Sequence, residues 1–161
     1  MMKSKKEEAF IQVVSKYKEG LYREAYSVLM NKEDAEDAIS NAVLKAYTHL
    51  SDIHDMKNMK AWLFRIIINE CKDMLRQRNK LKYADVPITE VAMEGTDDTG
   101  DLYEFVSQLE PQFKEVILLF YYEGFKIREI AQILDVPEGT VKSRLARAKE
   151  YLKVFIQKEN L

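Results

Sequence analysis

Residues 126–149 constrain the fold of this chain more than any other stretch. The first part spaces its apolar residues three and four positions apart, at Ile127, Ile130, Ala131 and Leu134, as in a helix with one buried face. Pro137 and Gly139 then interrupt the helical pattern, and Thr140 is predicted to cap the exposed amides that open the next helix. A second buried stripe follows at Val141, Leu145, Ala148, Leu152 and Phe155. Two helices joined by so short a turn predict a helix-turn-helix.

The outward face of the second helix has the chemistry of a DNA-binding surface. It is made of the residues opposite the buried stripe, namely Lys142, Ser143, Ala146 and Arg147. Such a helix presents its N-terminal turns to the major groove, where arginine can bind a guanine edge through two hydrogen bonds. The alternative is the solvated basic face of an ordinary packed helix. The breaker, the cap, the buried stripe and a basic run opposed only by Glu150 together favour DNA binding.

Composition allows a folded chain and shows that its charge is local. With 161 residues and 47% hydrophobic composition, the chain can bury one sizeable core or two small ones. The net charge is −2, but residues 1–80 hold 15 Lys and Arg against 12 Asp and Glu, whereas residues 81–100 hold 1 against 5. Because phosphate neutralisation supplies most non-specific affinity for DNA, this modest basic surface predicts weak DNA binding without a partner.

Several classes of protein do not fit the sequence. The single cysteine, Cys71, cannot form an internal disulfide, which suits a reducing compartment and a core position. Apolar runs stay shorter than the roughly 20 residues of a membrane span, and the N-terminus lacks a signal-peptide pattern, so we expect a cytoplasmic protein. His49 and His54 have no ligand cluster beside them, and no nucleophile–base pair or phosphate loop is recognisable. We therefore expect neither an enzyme nor a metal, cofactor or small-molecule substrate.

The N-terminal half is predicted to be helical throughout. Two short helices are expected between Ala9 and Leu29, separated at Gly20. Asn31 is a candidate N-cap for a helix that runs to about Leu50. The predicted buried stripe of that helix is Ala35, Ala38, Ile39, Ala42, Val43, Ala46, Tyr47 and Leu50. Its other face carries Asp34, Asp37, Asn41 and Lys45, and a polar face of this kind is most often simply solvated.

A further helix, residues 59–76, has one basic and one buried face. At about 100° per residue, one stripe holds Arg65, Asn69, Lys72 and Arg76, while Leu63, Ile67, Cys71 and Met74 lie opposite. Trp62 stands at the head of this helix. It is either a core aromatic residue or a platform on which an unpaired base stacks.

Residues 82–100 separate two domains. Pro87, Gly95, Gly100 and the acidic pair Asp97 and Asp98 lack a helical period and indicate a flexible acidic linker. Helices resume at about Leu102, and Pro111 opens another. The expected fold is all-α, with helical domains at residues 1–81 and 101–161 and the helix-turn-helix at the end of the second.

Three stretches together resemble a bacterial sigma factor of the extracytoplasmic-function (ECF) group. They are Asp34–Ala38, Ala61–Ile66 with Asn69, Asp73 and Arg76, and Gly139–Lys149. The resemblance spans almost the whole chain. It implies an N-terminal domain that binds the clamp of core RNA polymerase and melts the −10 promoter element, and a C-terminal domain that binds the −35 element.

The resemblance also assigns roles to residues. It implies that Asp34, Asp37, Asn41 and Lys45 dock on the polymerase clamp. It places Trp62, Arg65, Asn69, Lys72 and Arg76 at the −10 strand, with Asn69 holding an extruded base. It places Thr140, Lys142, Ser143, Arg144, Arg147 and Lys149 on the −35 duplex. The linker would thread towards the polymerase flap, and a membrane-linked anti-sigma protein would cover the clamp and −35 faces.

Two departures and one alternative qualify this interpretation. Ser40, Asn41 and Val43 stand where the family usually has a glutamine, an acid and a phenylalanine, and Ala146 allows only a methyl-sized contact with DNA. The alternative is a helix-turn-helix regulator that binds DNA without acting as a sigma subunit. It explains the C-terminal helices equally well, but it leaves the polar stripe of residues 65–76 without a role.

Overall fold

The computed structural model describes residues 4–81 and 100–159, and every regular element in those ranges is helical. The chain forms two compact units, Met1–Ala92 and Met93–Leu161. The predicted linker lies outside the described residues, except for Gly100, which begins a helix. Within the described ranges, no helix is long and apolar enough to cross a membrane.

Four helices build the first unit: α1 Lys5–Lys16, α2 Lys18–Leu29, α3 Lys32–Thr48 and α4 Met59–Leu81. Two 3-10 turns, Leu50–Asp52 and Met56–Asn58, connect α3 to α4. The predicted N-cap of α3 is confirmed, since Asn31 Oδ1 accepts a hydrogen bond from the Asp34 amide at 2.9 Å.

The predicted break at Gly20 is wrong. The helices meet at Tyr17, whose φ of −104° and ψ of 15° leave the helical region, while its amide still donates to the Val13 carbonyl. Gly20 is buried inside α2. Glycine weakens a helix by only about 1 kcal/mol relative to alanine, so packing against α3 and α4 overrides its local preference.

The core of the first unit lies between α2, α3 and α4. Ala35, Ala38, Ala42 and Ala46 give α3 a fully buried stripe of small side chains, which lets its backbone lie close to α2 and α4. Opposite them α4 buries Leu63, Phe64 and Ile67. The stripe is narrower than predicted. Tyr47 is exposed, because it lies about 100° round the helix from Ala46, and its ring approaches Phe10 of α1 instead.

The second unit contains α5 Gly100–Gln108, α6 Pro111–Ile117, α7 Ile127–Leu134 and α8 Glu138–Glu159, with a π-helical turn at Leu118–Tyr122. Its buried residues come from every one of these elements: Val106, Phe113, Val116, Leu119, Ile130, Leu134, Val141, Leu145 and Ala148. The resumed helix and the opening of α6 at Pro111 are as predicted. Phe105 and Phe155 stack, which holds the end of α8 against α5.

The helix-turn-helix is present, but its turn differs from the prediction. Helix α7 ends at Leu134, and the C-cap Asp135 takes the left-handed conformation with φ 56°, a conformation that a short polar side chain tolerates. Because α8 already begins at Glu138, Gly139 and Thr140 lie inside its first turn. Thr140 is therefore not the N-cap, and its own amide donates to the Pro137 carbonyl at 3.0 Å.

Candidate nucleic-acid and polymerase interfaces

Helix α8 separates a buried stripe from an exposed polar face. Val141, Leu145 and Ala148 are buried against the rest of the second unit. The residues predicted to face outward, Lys142, Ser143, Ala146 and Arg147, are exposed, as is Lys149. The Ser143 hydroxyl donates to the Gly139 carbonyl at 2.9 Å, which fixes its rotamer on this face. The surface therefore offers three cations, one hydroxyl and one methyl group on a single rigid helix.

Arg144 and Thr140 occupy the edge of this face rather than its centre, and both are half-buried. The Arg144 guanidinium lies 3.8 Å from the Glu115 carboxylate of α6. This ion pair links the second helix of the helix-turn-helix to the body of the unit. Sequence analysis missed Glu115 because no motif surrounds it, and only the packing of α6 on α8 brings the two charges together.

The stripe on α4 is displayed as its spacing predicted. Arg65, Asn69 and Arg76 are exposed, Lys72 is half-buried, and Leu63, Ile67 and Cys71 lie opposite in the core. Arg76 pairs with Asp73 at 2.7 Å one turn away on the same helix. Trp62 is half-buried at the head of α4. The stripe thus combines cations with an amide, and a half-buried tryptophan stands at its head.

The polar face of α3 is not the freely solvated row that its sequence suggested. Asp34 accepts a hydrogen bond from Arg78 of α4 at 2.6 Å. One turn further along α3 is Asp37, which is exposed. Asn41 donates to Glu70 of α4 at 3.3 Å, and Lys45 forms an ion pair with the other oxygen of the same carboxylate.

Two residues of α4, Arg78 and Glu70, therefore tie α3 to the neighbouring helix. Arg78 also donates to the Leu29 carbonyl at 2.9 Å, so it binds the C-terminal end of α2 as well. Glu70 is a carboxylate beside the apolar stripe of α4, and that position was the signal available in the sequence, since a buried charge needs partners. The hydrogen bond to Glu70 is the largest cause that raises the pKa of Lys45.

Cys71 is a core residue, as predicted. Burial, with smaller contributions from the charges of Glu70 and Glu24, raises the pKa of its thiol to about 12. The thiol is therefore protonated at neutral pH and is a poor nucleophile. Among the described residues, no three His, Cys, Asp or Glu side chains come together as a metal site.

Two family models match the chain, one in each unit. Residues 13–81 match sigma-70 region 2, which includes α3 and α4, and residues 99–152 match sigma-70 region 4, which includes the helix-turn-helix. The chain is an ECF sigma factor. This confirms the family resemblance of the three sequence stretches.

Relatives of this sigma factor align along nearly its whole length. SigV of Bacillus subtilis is 29% identical over 154 residues, which cover 94% of this chain and 93% of SigV. The ECF sigma factor SigW of the same organism is 27% identical, covering 91% and 88% of the two chains. Sigma factors recognise promoter DNA for core RNA polymerase, and they are recognition subunits rather than catalysts.

Two solved structures resemble this sigma factor. One is the sigma factor RpoE of Bartonella quintana, crystallised with the anti-sigma factor NepR. It is 29% identical to this chain with a TM-score of 0.78, and the match covers 92% of this chain and 96% of RpoE. The other is CnrH, solved with the cytosolic domain of CnrY. Its TM-score is 0.67 at 24% identity, and the match covers 94% of this chain and 90% of CnrH, which supports the fold.

Proposed function

We propose that this sigma factor binds core RNA polymerase through α3 and directs initiation at promoters whose −10 element meets α4 and whose −35 element meets α8. The observation that carries the proposal is the pair of polar faces, one in each unit, that project from helices whose opposite sides are buried. Residues 1–81 and 101–161 are the proposed promoter-binding domains, and residues 82–100 connect them.

The −35 contact is assigned to the exposed face of α8 and its edge. Lys142 and Arg147 provide exposed cations within the first three turns of the helix, the part that enters a major groove in this motif. Arg147 suits a guanine edge, whereas lysines suit phosphates. Thr140, Ser143, Arg144 and Lys149 complete the proposed contact, with Arg144 approaching DNA from its position beside Glu115.

The −10 contact is assigned to α4. Asn69 is an exposed amide between the cations Arg65, Lys72 and Arg76, so it can hydrogen-bond a base edge while its neighbours hold the backbone. Trp62 is half-buried, which leaves part of its ring for stacking on an unpaired base.

Binding to the clamp of core polymerase is assigned to α3, through Asp34, Asp37, Asn41 and Lys45. The linker is proposed to run towards the polymerase flap. Three of these four side chains already bind α4, so the proposed polymerase surface includes the seam between α3 and α4.

An anti-sigma protein is the proposed regulator. RpoE was crystallised with such a partner, the anti-sigma factor NepR. We propose that a membrane-linked protein of this kind covers the clamp and −35 faces of this chain until a signal releases it. The proposed place of action is the cytoplasm, where polymerase and promoter DNA meet, and no enzymatic activity is assigned.

In vitro transcription with purified core polymerase tests this function. Core polymerase supplemented with the protein should initiate at discrete sites in a genomic promoter library, and core polymerase alone is the control. Specific DNA binding by the protein without any specific initiation would show that it is a helix-turn-helix regulator instead.

A further inference from the structure

Glu70 is the most buried of the charged side chains that join α3 to α4. Its side chain is only 9% exposed, whereas that of Lys45 is 58% exposed. One carboxylate oxygen accepts from the Asn41 amide at 3.3 Å, and the other pairs with the Lys45 ammonium. Asn41 and Lys45 are four residues apart on α3, so they stand one above the other on one face. The carboxylate therefore binds two side chains that lie one turn apart on the neighbouring helix.

This geometry fixes α4 against α3 in two respects. Two donors one turn apart oppose sliding of α4 along α3, because a shift would stretch one of the two contacts. They also oppose rotation of α4 about its axis, since Glu70 points into the seam. Asn69 precedes Glu70 and points about 100° away, into the exposed stripe. Any rotation that moves Glu70 therefore moves the Asn69 amide by the same angle.

We propose that Glu70 is a positioning residue for promoter opening, which holds the Asn69 amide in the orientation that captures an unpaired base of the −10 strand. The proposal rests on the proposed function, because it assumes that α4 meets that strand. Glu70 itself touches neither DNA nor polymerase in this proposal. It acts through Asn69 on one side and through Asn41 and Lys45 on the other.

Stability alone is a poor explanation for this arrangement. The Lys45 side chain is 58% exposed, and ion pairs with an exposed partner contribute little to stability, so this pair is weak evidence for a stabilising role. What apolar contacts lack is direction, whereas a carboxylate with two defined donors specifies one rotation of the helix. The partners Asn41 and Lys45 also belong to the proposed polymerase face, so clamp binding and the orientation of Asn69 share the same side chains.

A double-mutant cycle on the full chain tests the proposal. The variants are Glu70→Gln, which keeps the shape but removes the charge, Lys45→Met, which removes the cation, and the double variant. Glu19→Gln is the matched control, because Glu19 is an exposed acid on α2 away from the seam. Opening is followed by the fluorescence of 2-aminopurine in the −10 region of a promoter that the wild-type protein uses. Saturating amounts of each variant remove differences in core affinity, and rates are divided by the titrated fraction of active holoenzyme.

We expect Glu70→Gln and Lys45→Met each to slow opening by about tenfold, within the range of coupling between packed residues. The double variant should be no slower than either single variant, since both remove one interaction. Glu19→Gln should open at the wild-type rate. Binding of holoenzyme to the −35 duplex, and helicity by circular dichroism, should stay unchanged in all four proteins, which a general loss of folding would not allow.

Wild-type opening by active Glu70→Gln holoenzyme would overturn the proposal, and so would single effects that multiply in the double variant. Failure of the wild-type protein to initiate at any promoter would refute the proposed function, and this inference with it. Initiation by the wild type together with an unaffected Glu70→Gln variant would refute the inference alone.

Discussion

Arg78 and Arg76 lie two residues apart on α4, yet the structure gives them very different energetic roles. The Arg78 guanidinium donates to both the Leu29 carbonyl and the Asp34 carboxylate, so it joins the end of α2 and the start of α3 to α4. In the described part of the chain, Arg76 bonds only within its own helix, to the Asp73 carboxylate and the Lys72 carbonyl. We predict that Arg78→Met destabilises the first unit and that the matched change Arg76→Met does not.

The magnitude follows from burial. Hydrogen bonds to charged groups contribute about 1.5–3 kcal/mol when they are shielded from water. The side chains of Arg78 and Asp34 are 28% and 39% exposed, so each of the two bonds is reduced to about 1 kcal/mol and the loss is about 2 kcal/mol. The Arg76 and Asp73 side chains are 72% and 55% exposed, and a pair of that kind contributes roughly 0.3–0.5 kcal/mol.

The single tryptophan makes the assay specific to the first unit. Trp62 is the only tryptophan in the chain and lies in α4, so its fluorescence reports unfolding of that unit in the full-length protein. With a urea dependence of about 2 kcal/mol per molar, Arg78→Met should lower the unfolding midpoint by about 1 M. Arg76→Met should move it by less than about 0.3 M.

Equal destabilisation by the two substitutions would contradict this prediction, since it would mean that the contacts of Arg78 with Leu29 and Asp34 contribute no more than an exposed ion pair. A change in the slope of the urea dependence would indicate instead that the denatured state had changed.

Four further predictions concern single side chains. Cys71 should resist iodoacetamide at pH 8 in the folded protein and react once the protein is unfolded in urea. Because burial raises its pKa to about 12 in the folded state, its contribution to stability is present below the unfolded pKa of the thiol and is lost as pH rises through the folded pKa. Measurement of the unfolding free energy across alkaline pH can detect this loss. Gly124→Ala should destabilise the second unit by about 1 kcal/mol, because Gly124 has a φ of +74°. Gly139→Ala should instead stabilise the unit by about 0.5–1 kcal/mol, because Gly139 lies inside α8 with open space around it. Calorimetry compares the two variants. Arg147→Ala should weaken binding of holoenzyme to its −35 sequence by about 1–3 kcal/mol, and an equal loss on every sequence would show a phosphate contact only. Asn69→Ala should slow opening and leave duplex binding intact in a gel-shift assay, and weaker duplex binding would contradict its assignment to the unpaired strand.

Periodicity predicted the helices and their faces because each buried stripe is set by spacing along one helix. The exposure of Lys142 and Arg147 and the burial of Leu145 needed nothing more than 100° per residue. The cap at Asn31 was equally local, since its side chain bonds an amide three residues away.

The errors arose where contacts between elements overrode local preference. Gly20 resembles a helix break in sequence but is buried inside α2 by packing against α3 and α4. Thr140 has the chemistry of a cap, yet Asp135 ends α7 early enough for α8 to begin two residues before it. Contacts between distant residues, such as Glu70 with Lys45 and Arg144 with Glu115, lay beyond sequence analysis because they depend on how two helices pack.

The contacts of Glu70 and of Arg78 with α3 constrain how this sigma factor can diverge or be redesigned. A substitution at position 70 or 78 leaves a charge on α3 without its partner, so homologues should change positions 45 and 70, or 34 and 78, together. A chimera that received only α4 from a relative, in order to acquire its −10 preference, would carry mismatched charges along the seam. Exchange of α3 and α4 as one block would keep both connections, so the helix pair is the smallest transferable unit of promoter preference in this domain.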